Sequence, residues 1–201
     1  MAEKIFEYIA GAICLDFANT ISGARGQTNV SEHLNSYRDL LNWGQQAGLL
    51  SAEQAVYLEK KSKEHKIASN RVLDRARNLR ESIYRIFSAV AVQKKPAAPD
   101  LAVINNELAR GLCQSRIIST PSGFMWGWEE PVRLDSIIAP PARSAADLLA
   151  SAVPFRVREC ANPSCTWLFI DETKNHSRRW CNMRTCGNAD KIRRFRSRHR
   201  Q

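Results

Sequence analysis

Four cysteines near the C-terminus, Cys160, Cys165, Cys181 and Cys186, follow a C-x4-C-x15-C-x4-C pattern that leads straight into an arginine-rich tail. Four thiolates in two close pairs can enclose a tetrahedral divalent cation with no open coordination position, which makes such a site structural and not catalytic. A metal held this way folds a segment too small to bury a core of its own. The four-residue spacers lie at the wide end of the usual ligand spacing, and Asn162, Pro163 and Ser164 supply turn chemistry in the first of them. One structural Zn2+ is therefore the expected cofactor. His176 sits midway between the pairs, but four thiolates already complete the shell, so it is expected in an exposed turn.

Pairing of the same cysteines as disulfides would need an oxidising compartment. Glu3, Glu7 and Asp16 interrupt the N-terminal stretch where a secretion signal needs an apolar segment. No run approaches the roughly 20 apolar residues that cross a bilayer. A reducing, cytoplasmic location without membrane contact is expected, with Cys14 and Cys113, remote from the cluster, as buried thiols. Zinc-bound thiolates can also oxidise and release their metal, which leaves a redox-responsive site open.

The formal charge of +10 is unevenly placed: residues 156–201 carry +8 and residues 1–155 only +2. The candidate nucleic-acid-binding residues are Arg178, Arg179, Lys191, Arg193, Arg194, Arg196, Arg198 and Arg200. Each cation that neutralises a phosphate releases counterions, so binding should weaken steeply with salt, while phosphate contacts alone carry no sequence information. DNA is the expected partner, with RNA as the second nucleic-acid candidate and an acidic protein as the bland alternative. A small-molecule effector and a second copy of the chain complete the expected partners, although no heptad or other dimer signature is visible.

None of the common enzyme signatures GxxxxGK, GxGxxG, GxSxG or HExxH occurs, and no catalytic residue is assigned. The one polar cluster that suggests a ligand site is Asp16, Asn19 and Thr20, which group by three and four on a helix. Its alternative is a polar network closing the end of that helix.

The elements that must position these residues are mostly helical, since apolar residues in the first 150 recur at spacings of three and four. A helix is expected over 31–47, with Ser31 as N-cap and Gly48 as stop, and a second from Ser51, whose S-x-x-Q with Gln54 forms a capping box. Residues 71–92 carry Val72, Ala76, Leu79, Ile83, Phe87 and Val90 as one stripe, with their arginines as a solvated face. Asp100 is expected to cap a helix ended by Gly111, and 115–120 with 124–128 to form a hairpin bearing Trp126 and Trp128. Pro140 and Pro141 should precede a short helix. In the C-terminal segment, TWLFI and RRW suggest a hairpin, followed by a helix from about Asn188 with Ile192, Phe195 and His199 packed on the finger and its cations outward.

From Cys160 to Arg198 the chain resembles the CGNR zinc finger, whose naming motif here reads Cys186, Gly187, Asn188, Ala189. The resemblance covers both cysteine pairs, the block Trp167, Leu168, Phe169, then Asp171, the block Arg178 to Cys181, and the basic tail. The last arginine of the motif is replaced by Ala189, so any phosphate or bracing contact it makes in the family is missing here. CLDFANT at Cys14 to Thr20 and PPARSAADLL at Pro140 to Leu149 resemble the ABATE domain, a stress-induced transcription regulator module.

These resemblances imply a mainly α protein. A helical N-terminal domain with a small β-hairpin, residues 1–153, precedes a small treble-clef-like zinc finger, residues 154–201, made of a hairpin and a basic helix. The implied function is a zinc-dependent DNA-binding transcription regulator of bacterial type with a ligand-sensing or association domain. The alternative is a small-molecule-binding protein or enzyme that uses the finger as a brace.

Overall fold

The helix-spaced apolar stripes form helices in the order the sequence sets them out. A computed structural model describes residues 5–128, 131–151, 153 and 156–198. Its elements are α1 (Ile13–Ala18), β1 (Ile21–Ser22), β2 (Ser31–Glu32), α2 (Tyr37–Gln46), α3 (Ala52–Glu64), α4 (Lys66–Ala91), α5 (Ala98–Gln114), β3 (Ser115–Thr120), β4 (Gly123–Trp128), α6 (Ala139–Ala150), β5 (Val157–Glu159), β6 (Leu168–Ile170) and α7 (Asn188–Arg198). The strands form three two-stranded antiparallel ribbons, β1–β2, β3–β4 and β5–β6. The fold is therefore mainly α with small hairpins and a C-terminal cysteine cluster.

The 26-residue α4 is the central element. Its stripe of Val72, Ala76, Leu79, Ile83 and Phe87 is buried, as the period predicts, and contacts run from it to α1, α2, α5 and β5. Trp43 of α2 packs on Phe17 of α1 at 4.8 Å between ring centroids in the same core. The arginines of α4 differ from expectation. Arg80 is only 3% exposed and grips Glu32 through two bonds of 2.6 and 2.7 Å. Arg75 pairs with Glu107 at 2.6 Å and Asp135 at 3.1 Å, and Arg85 pairs with Asp100. A helix surrounded by neighbours has little solvated face, so its long cations lie along apolar surface and end on carboxylates of adjoining elements.

Several boundaries also differ for local reasons. α2 starts at Tyr37 because Ser36 and Asp39 form the capping box, while Ser31 and Glu32 pair with Ile21 and Ser22 as strands. The Ser51–Gln54 box caps α3 as expected, and Gly48 follows α2 with φ of +70°. α5 runs through Gly111, which is required for packing and not as a stop: a Cβ there would approach the Ala139 Cβ to 2.4 Å. The prolines lie inside the first turn of α6, where a missing N–H costs nothing. Cys113 is exposed, unlike Cys14.

The hairpin β3–β4 has the register Ile117 with Trp126 and Ser115 with Trp128. In the finger, β6 pairs with β5 upstream, Val157 opposite Ile170, and not with residues 178–180. The cause is burial: Val157, Leu168 and Ile170 belong to the same apolar core as α4. Residues 178–180 hold the first knuckle through one backbone bond, Ala161 N–H to the Arg179 carbonyl at 2.8 Å.

Candidate metal centre and nucleic-acid interface

Each cysteine pair is closed by an asparagine turn. In the first loop the Ser164 amide donates to Asn162 Oδ1 at 3.2 Å, and the Cys165 amide donates to the Asn162 carbonyl at 2.9 Å. In the second, the Arg184 amide donates to Asn182 Oδ1 at 2.9 Å, and the Gly187 amide donates to the Asn182 carbonyl at 3.1 Å. Asparagine suits both places because its side chain mimics a backbone turn. The second loop ends in one π-helical turn, Met183–Gly187, that continues into α7. A Cβ at Gly187 would meet the sulfur of the half-exposed Met183 side chain at 2.9 Å, so a larger residue there would push that side chain aside.

The two turns bring the four Sγ atoms within 4.8 Å of one another. Cys165 Sγ lies 3.8 Å from Cys181 Sγ, and Cys181 Sγ lies 3.7 Å from Cys186 Sγ. A zinc–sulfur bond of about 2.3 Å in a regular tetrahedron gives edges of about 3.8 Å, whereas a disulfide needs about 2.05 Å. The donor set therefore fits one tetrahedral zinc, and the cysteines are free thiols. Amides of Cys181 and Trp167 point at the sulfurs of Cys160 and Cys165 at 3.5 Å each, and Asn162 Nδ2 lies 3.4 Å from Cys186 Sγ. These donors spread the negative charge that four thiolates would leave around a dication. Hydrogen bonds from Cys165 and Cys181 hold the Cys160 thiol far below its ordinary pKa, while those two are pushed up by their bonds to Cys160.

Arg178, expected among the phosphate-facing cations, has an internal position instead. Its guanidinium lies 4.2 Å over the Phe169 ring and donates to the carbonyls of Trp180, Cys181, Ile170 and Ile9. Its own amide donates to the buried Asp171 at 2.9 Å, which also accepts from Thr173. Burial would raise the Asp171 pKa, but the bonds from Thr173 and Arg178 outweigh it and hold the carboxyl below its usual value. His176 is exposed in this loop with φ of +49°, away from the sulfurs' shell.

Asp16, Asn19 and Thr20 come together as the seat of the finger. Asp16 Oδ1 accepts from the amides of Ile9 at 2.9 Å and Ala10 at 3.0 Å, and the Ala10 carbonyl then accepts from the Ile170 amide at 2.8 Å. Asn19 exchanges two bonds with the Leu168 backbone. Thr20 donates to the Phe17 carbonyl at 2.8 Å and accepts from Arg80. All three are buried and engaged with protein groups, so they present no free set to a small molecule and give the enzyme alternative no support. Trp167 Nε1 adds a bond to the Ile21 carbonyl at 2.7 Å, and Glu159 accepts from Ser88 and Tyr84 of α4. Arg25 joins them, donating to the Thr166 hydroxyl at 3.2 Å with its guanidinium 3.9 Å over the Tyr84 ring, and none of Glu159, Tyr84, Ser88 and Arg25 carries a sequence motif that could have singled it out.

On α7, Lys191, Arg193, Arg194, Arg196 and Arg198 are all exposed, as is Arg179, whose guanidinium stacks near Trp180; Arg200 and His199 lie outside the described residues. The helix is turned differently from expectation. Its buried residue is Asp190, 3% exposed, which pairs with Arg193 and Arg194, while Ile192 and Phe195 are 52% and 62% exposed. The side of α7 that is buried therefore carries Asp190 and not an apolar edge, and both ion pairs of Asp190 are with arginines of the same helix.

Two family models match the chain in tandem. The ABATE model, described as "Putative stress-induced transcription regulator", matches residues 11–152, and the CGNR zinc finger model matches residues 156–199. No curated protein matches the chain. Among the described residues, no helix is long and apolar enough to cross a membrane.

Proposed function

The chain belongs to the ABATE family of stress-induced transcription regulators and carries a CGNR zinc finger, and from that premise we propose that it is a zinc-dependent DNA-binding regulator. Cys160, Cys165, Cys181 and Cys186 are the ligands of one structural zinc. Arg179, Lys191, Arg193, Arg194, Arg196 and Arg198 face the phosphates. Residues 1–153 act as the sensing unit and residues 154–201 as the reading unit.

The observation that carries this reading is the placement of +8 of the +10 charge in residues 156–201, where the five cations of α7 stand exposed beside a metal centre. Ile192 and Phe195 project among those cations, a combination suited to a nucleic-acid groove, where phosphate contacts position the helix and apolar side chains meet bases or sugars. Cysteines free of disulfides at the centre suit a reducing, cytoplasmic location.

The test is binding of the zinc-loaded chain to duplex DNA across a salt series. A log–log slope of about 0.9 per phosphate contact is expected on B-DNA. Undetectable binding at low salt overturns the role, and preference for structured RNA over the duplex reassigns the partner.

A further inference from the structure

A cavity of about 610 Å3 opens between the β3–β4 hairpin, α5, α6 and the finger strand β6. Pockets of roughly 300–1,000 Å3 hold small organic ligands. Its walls are apolar: Leu108 and Leu112 of α5, Met125, Trp126 and Trp128 of the hairpin, and Ile170 of the finger. The hydroxyls on the wall are already engaged, Ser144 with the Cys14 amide, Ser115 with the Gly111 carbonyl and Ser151 with the Leu148 carbonyl.

Among the described residues of the lining, the charged ones are Arg143 and Asp147, both on α6. The Arg143 guanidinium lies 3.7 Å over the Trp126 ring, which fixes its plane, and the residue lines the cavity. Its ion pair with Asp147 is long, at 3.6 Å, and Asp147 is 69% exposed at the side chain, so solvent screens it. A planar cation held against an aromatic wall, with a weak partner, is arranged to receive a carboxylate or similar anion.

We propose that this cavity is the effector site and that it takes a small aromatic or otherwise apolar molecule bearing one anionic group, which Arg143 reads. The site deepens the sensing role proposed above and rests on it only for its regulatory meaning. Ile170 makes the finger part of the wall, and it packs tightly on Gly11, where a Cβ would lie 3.4 Å from the Ile170 Cβ.

The probe is 1-anilinonaphthalene-8-sulfonate, an aromatic anion, titrated by fluorescence into the zinc-loaded full chain without DNA. Saturation at one equivalent per chain is expected. Arg143→Gln should weaken binding about ten-fold, and Leu112→Trp, which fills the cavity from a half-exposed position, should abolish it. Phe124→Ser, at the exposed hairpin tip outside the lining, should leave it unchanged. Naphthalene-2-carboxylate should displace the dye at least ten-fold better than its neutral carboxamide. Thermal melts of each variant show that it is folded. Non-saturating binding, binding that survives Leu112→Trp, loss with Phe124→Ser, or equal displacement by amide and carboxylate overturns the site. Because DNA is absent, failure of this titration leaves the DNA-binding role standing, and failure to bind duplex leaves the cavity's ligand standing.

Discussion

Asn19 and Leu168 exchange two buried hydrogen bonds of 2.9 Å each, Asn19 Nδ2 to the Leu168 carbonyl and the Leu168 amide to Asn19 Oδ1. The side-chain amide thereby serves as one residue of a third strand along the outer edge of β6, and Ala10 completes that edge at Ile170. Asn19→Ala leaves a donor and an acceptor buried and unpaired, at about 1–3 kcal/mol each. Loss of about 2–6 kcal/mol in denaturant unfolding is expected, with faster hydrogen exchange at the Leu168 amide. A change within 0.5 kcal/mol would mean that the finger is not seated through this residue.

Asp16 gives the seat a pH dependence. Burial raises its pKa to about 6, against the opposing bonds from the Ala10 and Ile9 amides. A folded pKa above the unfolded value means a contribution to stability that is present below about pH 4 and lost as pH rises through about 6. Asp16→Asn removes this loss, so the variant's stability relative to the parent should improve by roughly 1–2 kcal/mol between pH 5 and 7.5. The readout is the difference in unfolding free energy between the two proteins at each pH, in which changes shared through the thiols cancel. A constant difference across that range would show that Asp16 titrates normally.

The cysteine spacing made the metal centre legible because tetrahedral coordination constrains ligand number and loop length, and the Ser51–Gln54 capping box is equally local. Long-range partners decided the rest. Arg178 sits in a basic run and reads as a phosphate contact, yet the carbonyls of Trp180, Cys181 and Ile170 and the distant Ile9 surround it. TWLFI pairs upstream because the buried Val157 and Ile170 lie opposite each other, a relation that no local pattern states. Asp16 and Asn19 were visible as a polar cluster, but the role of Asn19 depends on Leu168, 149 residues later, and that of Asp16 on the amides of Ile9 and Ala10. The cavity was half legible: the tryptophan hairpin stood out, while Arg143 becomes informative only beneath the Trp126 ring.

Removal of zinc should reach the cavity. β6 connects the first cysteine pair to Ile170, and the loop after it is held by Asp171 and Arg178 up to Cys181. Without metal, the two knuckles keep only hydrogen bonds such as that from the Ala161 amide to the Arg179 carbonyl, and the segment loses much of its folding free energy. Chelation, or Cys186→Ser, should abolish the one-equivalent zinc content and weaken dye binding in the cavity by at least ten-fold. Full zinc content in Cys186→Ser would contradict the four-thiolate assignment, and unchanged dye affinity in the metal-free chain would show that Ile170 keeps its place without zinc.

Ala189 and Arg178 separate a missing phosphate contact from a structural one. Ala189 is exposed, and it precedes Arg196 by seven residues, which puts the two on one face of α7 two turns apart. An arginine at 189 would therefore extend the cationic surface and would not brace the interior. Ala189→Arg should steepen the salt dependence of duplex binding by about 0.9 in log–log slope, and Arg196→Ala should reduce it by the same amount, both at unchanged zinc affinity. Arg178→Ala should behave differently. Its guanidinium supports the Cys181 carbonyl and the Phe169 ring beside the thiolates, so the loss falls on zinc affinity, by about 10–100-fold in competition with a chelator. If Arg178→Ala instead lowers only the salt slope and retains its metal, the residue faces phosphate and its internal hydrogen bonds give way in the complex.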